Sequence, residues 1–236
     1  MSLSYVTHAR TATVTGREHV RLGRNNQDGA FVAMKGDTWV AVVADGCSSE
    51  PFSEVGARLG ARALAVMTAS LAHVPLAEVP HVALDHLTAW LSRLVHGVEV
   101  DDGRAVLHAY GLFTVLCAVQ RGAEAVVFGS GDGAIVVDGR VTRLSSGDDN
   151  APAYVGYRLL GETVPVRVHH LGPARQVALC TDGLDGFVSS GGIAALFDDA
   201  LVWKNPAHLQ RRLNVVHAAQ RFADDATLAL LSTERP

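Results

Sequence analysis

The sequence predicts an α+β fold of four layers, αββα, in which two mainly antiparallel sheets pack on each other and helices cover both outer faces. Three observations carry this reading. The strand-like runs VAVVA, AIVV and TLALL are apolar at consecutive rather than alternate positions, the pattern of strands covered on both faces. Two helical segments precede a block of strands, and two more helices precede a last strand, an order that does not alternate as βαβ units would. No linker-like stretch divides the chain, so residues 1–236 read as a single domain.

In order along the chain, the alternating Thr/Val pattern over 11–15 predicts a strand, and the polar, turn-rich 19–29 (HVRLGRNNQDG) a loop. Apolar runs at 30–34 and 38–44, separated by Lys35-Gly36-Asp37, predict a hairpin. Val55, Leu59, Ala63, Val66, Met67, Ser70 and Leu71 recur at helical spacing, and Leu84, Leu87, Leu91, Leu94 and Val95 form the stripe of a second helix. After a turn at Asp101-Asp102-Gly103, strands are predicted at 112–120, 123–128, 134–137 and 141–144. Residues 145–161 read as irregular, 165–171 and 176–180 as strands, 193–202 and 207–222 as helices, and 226–231 as the closing strand.

Composition narrows the function. With 48% apolar and 19% charged residues the chain can bury a large core, and a formal charge of −4 gives no electrostatic case for nucleic acid or an anionic membrane. No apolar run approaches the ~18 residues of a membrane span, and the N-terminus lacks the apolar stretch of a secretory signal. The three cysteines are an odd number, and Cys117 and Cys180 lie inside apolar runs, which reads as reduced core thiols in a cytoplasmic protein.

The chemistry lies in a repeated device: an apolar strand that ends in an aspartate followed by a glycine. Asp-Gly is first of all a hairpin signal. Asp138-Gly139, between AIVV and RVTRL, reads as that turn alone, and Asp132-Gly133 stays open between turn and site. Asp45-Gly46 and Asp182-Gly183 differ, because each leads into a small-residue loop and then a helix. Asp28, in NNQD, and Asp225, just before the last strand, complete a set of carboxylates at strand ends. Hard oxygen ligands of this kind suit Mg²⁺ or Mn²⁺, and cations would relieve the mutual repulsion of grouped carboxylates. No HExxH, CxxC pair or histidine cluster competes for a zinc assignment.

The motifs NNQDG, VVADGCSS, GSGDGAIVV, LCTDGLDGF and DDATLALL, in that order over nearly the whole chain, resemble the type-2C metal-dependent serine/threonine protein phosphatases (PPM family) in their short bacterial form. The resemblance implies the αββα fold, two bridged Mn²⁺ or Mg²⁺ ions, and hydrolysis of phosphoserine or phosphothreonine in proteins by a water held between them. It implies that Asp45 bridges both ions, that Gly46 offers its carbonyl, that Asp182 and Asp225 complete one ion's shell, and that Asp28 binds or orients water in the other's. The implied partner is a phosphorylated protein, either a serine/threonine kinase or one of its targets.

The departures from the family pattern are specific. The phosphate-binding arginine usually stands five residues before the motif aspartate, where this chain has Gly23; Arg24 is the expected substitute, with Arg21 beside it. Cys47 stands where some members carry a histidine proposed as general acid. Four positions after Asp182 the chain has Gly186, leaving Asp185 one place early as the partner of Asp132 for a third ion. The segment 145–180 is shorter than the family's flap-bearing stretch. Two rival readings follow from these departures and from the carboxylates themselves: a phosphatase-like binding or sensory module with little or no activity, and a hydrolase of small phosphate esters.

Overall fold

The computed structural model describes residues 5–97, 102–145 and 152–234. Two five-stranded sheets form its centre. The first consists, in spatial order, of β1 (Val6–Val14), β10 (Ala226–Glu234), β9 (Gln176–Cys180), β6 (Gly133–Val137) and β7 (Arg140–Leu144). The second consists of β2 (Asp28–Lys35), β3 (Thr38–Asp45), β4 (Val115–Arg121), β5 (Glu124–Ser130) and β8 (Arg167–Pro173). Every pairing is antiparallel.

The consecutive apolar residues now have a physical account. In β3, Ala41 and Val43 face the other sheet and pack in a cluster with Leu116, Ile135, Leu179 and Leu231. The alternate residues Val40 and Val42 face outward, onto α2 (Ser53–Ala69), α3 (Val79–Gly97) and α4 (Gly103–Gly111), through Leu64, Leu87, Leu91 and Leu107. On the far side, Leu228 and Leu230 of β10 meet α6 (Gly192–Asp198), α7 (Ala200–Lys204) and α8 (His208–Gln220) through Leu196, Val202, Leu209 and Leu213. A strand between two apolar layers cannot alternate, because both of its faces are removed from water. Each of these leucines contributes about 1.5–3 kcal/mol on burial. The four predicted layers are present.

Four local expectations need correction. Residues 19–29 do not form a loop throughout: α1 (Arg17–Leu22) ends at Gly23, and β2 begins at Asp28. Nor do strands begin at 112; α4 comes first, capped by Asp102, whose carboxylate accepts from the Arg104 and Ala105 amides. Residue 101 lies outside the described residues, as do 146–151 of the irregular segment, whose later part carries a 3-10 turn at Val155–Leu160.

The fourth correction concerns the face of α2. Val55, Leu59 and Val66, expected to face inward, are 39%, 43% and 47% exposed. The buried face is instead Gly56, Ala57, Gly60, Ala61, Leu64, Ala65 and Ala69. Small residues win because the helix backbone comes into contact with its neighbours: a Cβ on Gly56 would overlap the Tyr110 carbonyl oxygen.

Candidate metal centre

The topology brings one end of several strands together. Asp28 opens β2 and is registered opposite Asp45, the last residue of β3. Asp182 follows β9, Asp224 precedes β10, and Asp132 lies between β5 and β6, whose Ala134 is registered opposite Cys180. An open cavity of about 110 Å³ forms at this edge, and Asp45, Asp132, Asp182 and Asp224 all line it, with Gly46, His19, Thr114 and Tyr154. Lysine and arginine are absent from this lining among the described residues.

The backbone at Asp45-Gly46 is tightly held. The Thr114 amide donates to the Asp45 carbonyl at 2.8 Å and the Gly46 amide to the Gln27 carbonyl at 3.2 Å. A Cβ on Gly46 would lie 2.7 Å from that Gln27 oxygen and 2.8 Å from Ser53 Oγ, so only glycine fits between them.

Crowding disturbs the carboxylates. Burial pushes Asp28 up to about 7, against hydrogen bonds from Thr227 and Thr181 that favour its charged form. Asp45 is driven well above the usual carboxylate range, first by burial and then by the charges of Asp28, Asp182, Asp132 and Asp224. Burial and the charges of Asp132 and Asp224 raise Asp182 to about 6. Asp132 is raised by burial and by Asp185 and Asp224. Asp28 accepts from Thr181 Oγ1 through Oδ2 at 2.8 Å, while its buried Oδ1 has no partner among the described residues. Grouped carboxylates without a compensating cation, one with an orphaned oxygen, match what a divalent cation requires of hard oxygen donors.

Four expected site residues lie off the cavity wall: Asp28, Asp225, Asp185 and Arg24. Asp225 does not line the cavity; Asp224 takes that position. The Asp225 carboxylate is buried behind the wall, where Oδ1 accepts from the Gly16 amide at 2.7 Å and Oδ2 from the Gln27 amide at 2.6 Å and His19 Nδ1 at 2.8 Å. Two internal amides claim the second aspartate, while the Asp224 side chain, in the bend before β10, stays exposed beside the cavity. Asp185 begins α5 (Asp185–Ser189), is exposed and stays off the cavity wall, whereas Asp132 is on it. Arg24 is exposed in a neighbouring cavity of about 400 Å³, and its guanidinium donates to the Ser48 carbonyl. Arg21 is paired with Glu18 at 2.9 Å.

His19, Asp224, Thr114 and Tyr154 were not singled out by the sequence. Only Asp224 had a visible signal, as half of an Asp-Asp pair whose two members the sequence does not distinguish. Cys47 is buried with its sulfur 3.1 Å from Ser49 Oγ.

A family profile for protein phosphatase 2C matches residues 15–216. The chain belongs to the protein phosphatase 2C family. Members of this family are metal-dependent serine/threonine protein phosphatases, hydrolases of phosphoproteins. Solved structures agree in fold. The serine/threonine phosphatase Stp1 from Staphylococcus aureus aligns at 15% identity and TM-score 0.66, over 98% of this chain and 97% of that one. A serine/threonine phosphatase of S. agalactiae gives 17% and 0.68, over 96% and 99%. The catalytic domain of PstP, solved in complex with two manganese ions, gives 16% and 0.55, over 98% and 99%. No curated protein sequence matches the chain significantly. The profile match ends before Asp224, so the assignment at the start of β10 rests on the geometry alone.

Proposed function

We propose that the chain is a single protein phosphatase 2C domain that removes phosphate from phosphoserine and phosphothreonine in proteins, using two Mn²⁺ or Mg²⁺ ions at the carboxylate cavity. The observation that carries this reading is the group of four cavity-facing aspartates, backed by the orphaned Asp28 oxygen, without lysine or arginine in the lining. Asp45, Asp182 and Asp224, with the backbone at Gly46, would hold the ions, and Asp28, oriented by Thr181, would support them from the inner side. Asp132 alone faces the cavity from the pair considered for a third ion, so a third site would lack Asp185 in this arrangement. Bound ions supply Lewis-acid activation of water and neutralise charge on the phosphoryl oxygens.

The rest of the chemistry falls to the protein. Tyr154 is on the rim, and burial, followed by its contact with Cys47, pushes its hydroxyl far up, so it keeps its proton and can donate a hydrogen bond to a phosphate oxygen. Arg24, tied to the Ser48 carbonyl at the boundary of the two cavities, is the cation closest in role to a phosphate clamp. Cys47 follows Asp45-Gly46, so that position offers no imidazole acid to the leaving alkoxide.

No helix among the described residues is long and apolar enough to cross a membrane. A cytoplasmic bacterial signalling role, opposing a serine/threonine kinase or acting on its targets, fits the family and the composition. Hydrolysis of a phosphothreonine peptide and of p-nitrophenyl phosphate with added Mn²⁺ tests the function. Activity with metal that disappears in Asp45→Ala and Asp182→Ala is the expected result. No hydrolysis by the metal-loaded protein, or activity that survives both substitutions, overturns it.

A further inference from the structure

The geometry points to His19 as a nitrogen ligand of the metal centre, with Asp225 as the residue that positions it. The inference rests on the metal-centre reading above and goes beyond the oxygen donors expected there. His19 is 6% exposed and lines the same cavity as Asp45, Asp182 and Asp224. Its Nδ1 is 2.8 Å from Asp225 Oδ2, and its Nε2 has no hydrogen-bond partner among the described residues. His19 Nδ1 also lies 3.9 Å from Asp224 Oδ1, so the ring is beside both aspartates, and the three side chains stand close enough together to surround one ion.

Asp225 itself is poorly placed to bind the ion. Three N–H groups, from Gly16, Gln27 and His19, already occupy three of its roughly four acceptor positions. What it can do is hold the Nδ1 proton of His19. That leaves the Nε2 lone pair for a cation, the carboxylate–histidine–metal relay by which proteins orient imidazole ligands. The two segments are fastened together at the backbone. The Arg17 amide donates to the Phe222 carbonyl and the Glu18 amide to the Ala223 carbonyl, each at 3.1 Å, immediately before the Asp224-Asp225 pair. Asp225 makes the closer contact with Nδ1, 2.8 Å against 3.9 Å for Asp224, while Asp224 is the member of the pair that lines the cavity.

Electron spin echo spectroscopy of the Mn²⁺-loaded protein tests this directly. Imidazole bound to Mn²⁺ gives a ¹⁴N modulation, and biosynthetic labelling with ¹⁵N-histidine should remove it. His19 is the one histidine on the cavity wall among the described residues, so His19→Gln should abolish the modulation while the carboxylates still bind manganese. Asp225→Asn should keep a nitrogen coupling but weaken Mn²⁺ binding, measured by calorimetry, by about 10–100-fold. The labelling result on the unaltered protein needs no variant to fold. Two bound Mn²⁺ ions with no histidine nitrogen coupling would overturn the histidine ligand and leave the phosphatase reading intact. A protein that binds no Mn²⁺ would overturn both.

Discussion

Asp45-Gly46 and Asp138-Gly139 are the same dipeptide, each at the end of an apolar strand, and the molecule uses them in opposite ways. Asp138 and Gly139, at φ 47° and 79°, form the two-residue turn between β6 and β7. There the Asp138 carboxylate is satisfied: Oδ1 accepts from the Arg175 and Gln176 amides at 3.0 and 2.8 Å. Asp45 faces three other carboxylates across a cavity. The first aspartate holds the fold together, whereas the second is held in place against its own electrostatics. Charge that opposes folding without serving it marks a site where a ligand is expected.

The largest expected effect follows from that contrast. Asp45→Asn should lower metal-dependent turnover by well over the ~10–100-fold that loss of a ligand's supporting partner costs, yet raise the stability of the metal-free protein at pH 8 by roughly 1–2 kcal/mol. Asp138→Ala should do the reverse. Turnover should stay within about twofold, and stability should fall by about 1–2 kcal/mol as two amides lose their acceptor. Assays and denaturant melts of both variants, with metal and with chelator, check the opposed signs. If Asp45→Asn destabilises the metal-free protein, the contrast fails.

The pH dependence of the metal-free protein comes next. Asp28 rises from its ordinary 3.8 to about 7 on folding, and Asp182 to about 6. A raised carboxyl means that the folded state binds more protons than the unfolded one across that interval, so stability falls as pH rises from about 4 to 7 and is lowest above it. Thermal melts with chelator should therefore give a higher Tm at pH 5 than at pH 8, by about 2–3 kcal/mol in stability from the buried Asp28, with exposed Asp182 adding little because water screens it. Asp28→Asn should flatten the slope. Mn²⁺ at about 100 times its Kd should restore about 2.7 kcal/mol at pH 8. A metal-free Tm that climbs from pH 5 to 8 would contradict the electrostatic account.

Much of this was legible in the sequence, for physical reasons that also explain the gaps. Consecutive apolar residues such as Val40–Val43 reveal strands between two layers, because burial on both faces leaves no other pattern. The six residues of α1 make less than two turns, too few for a periodic stripe, so the sequence gives no sign of His19 in that polar stretch. Hydrophobicity points to the wrong face of α2, because it ranks Val55 and Leu59 above Gly56 and Ala57, while close backbone approach selects the reverse. Asp224 and Asp225 are chemically identical neighbours. Only the backbone amides of Gly16 and Gln27, distant in sequence, decide which of them turns inward.

The glycines of the two pairs sharpen the comparison at the smallest scale. Gly46→Ala puts a methyl 2.7 Å from the Gln27 carbonyl oxygen, at ordinary backbone angles, so the penalty is steric and should be about 1–3 kcal/mol. Because the displaced backbone carries Asp45, turnover should fall with stability. Gly139→Ala meets nothing within 4 Å, and its penalty comes from φ +79° alone. The left-handed conformation costs alanine about 1–2 kcal/mol, partly offset by the ~0.4–1 kcal/mol that a stiffer unfolded chain returns. The net loss should be about 1 kcal/mol with turnover unchanged, and Gly139→Asn should recover part of it, since asparagine tolerates that conformation. Denaturant melts read the loss and its recovery. A turnover defect in Gly139→Ala would mean that the hairpin pair is coupled to the carboxylate cavity after all.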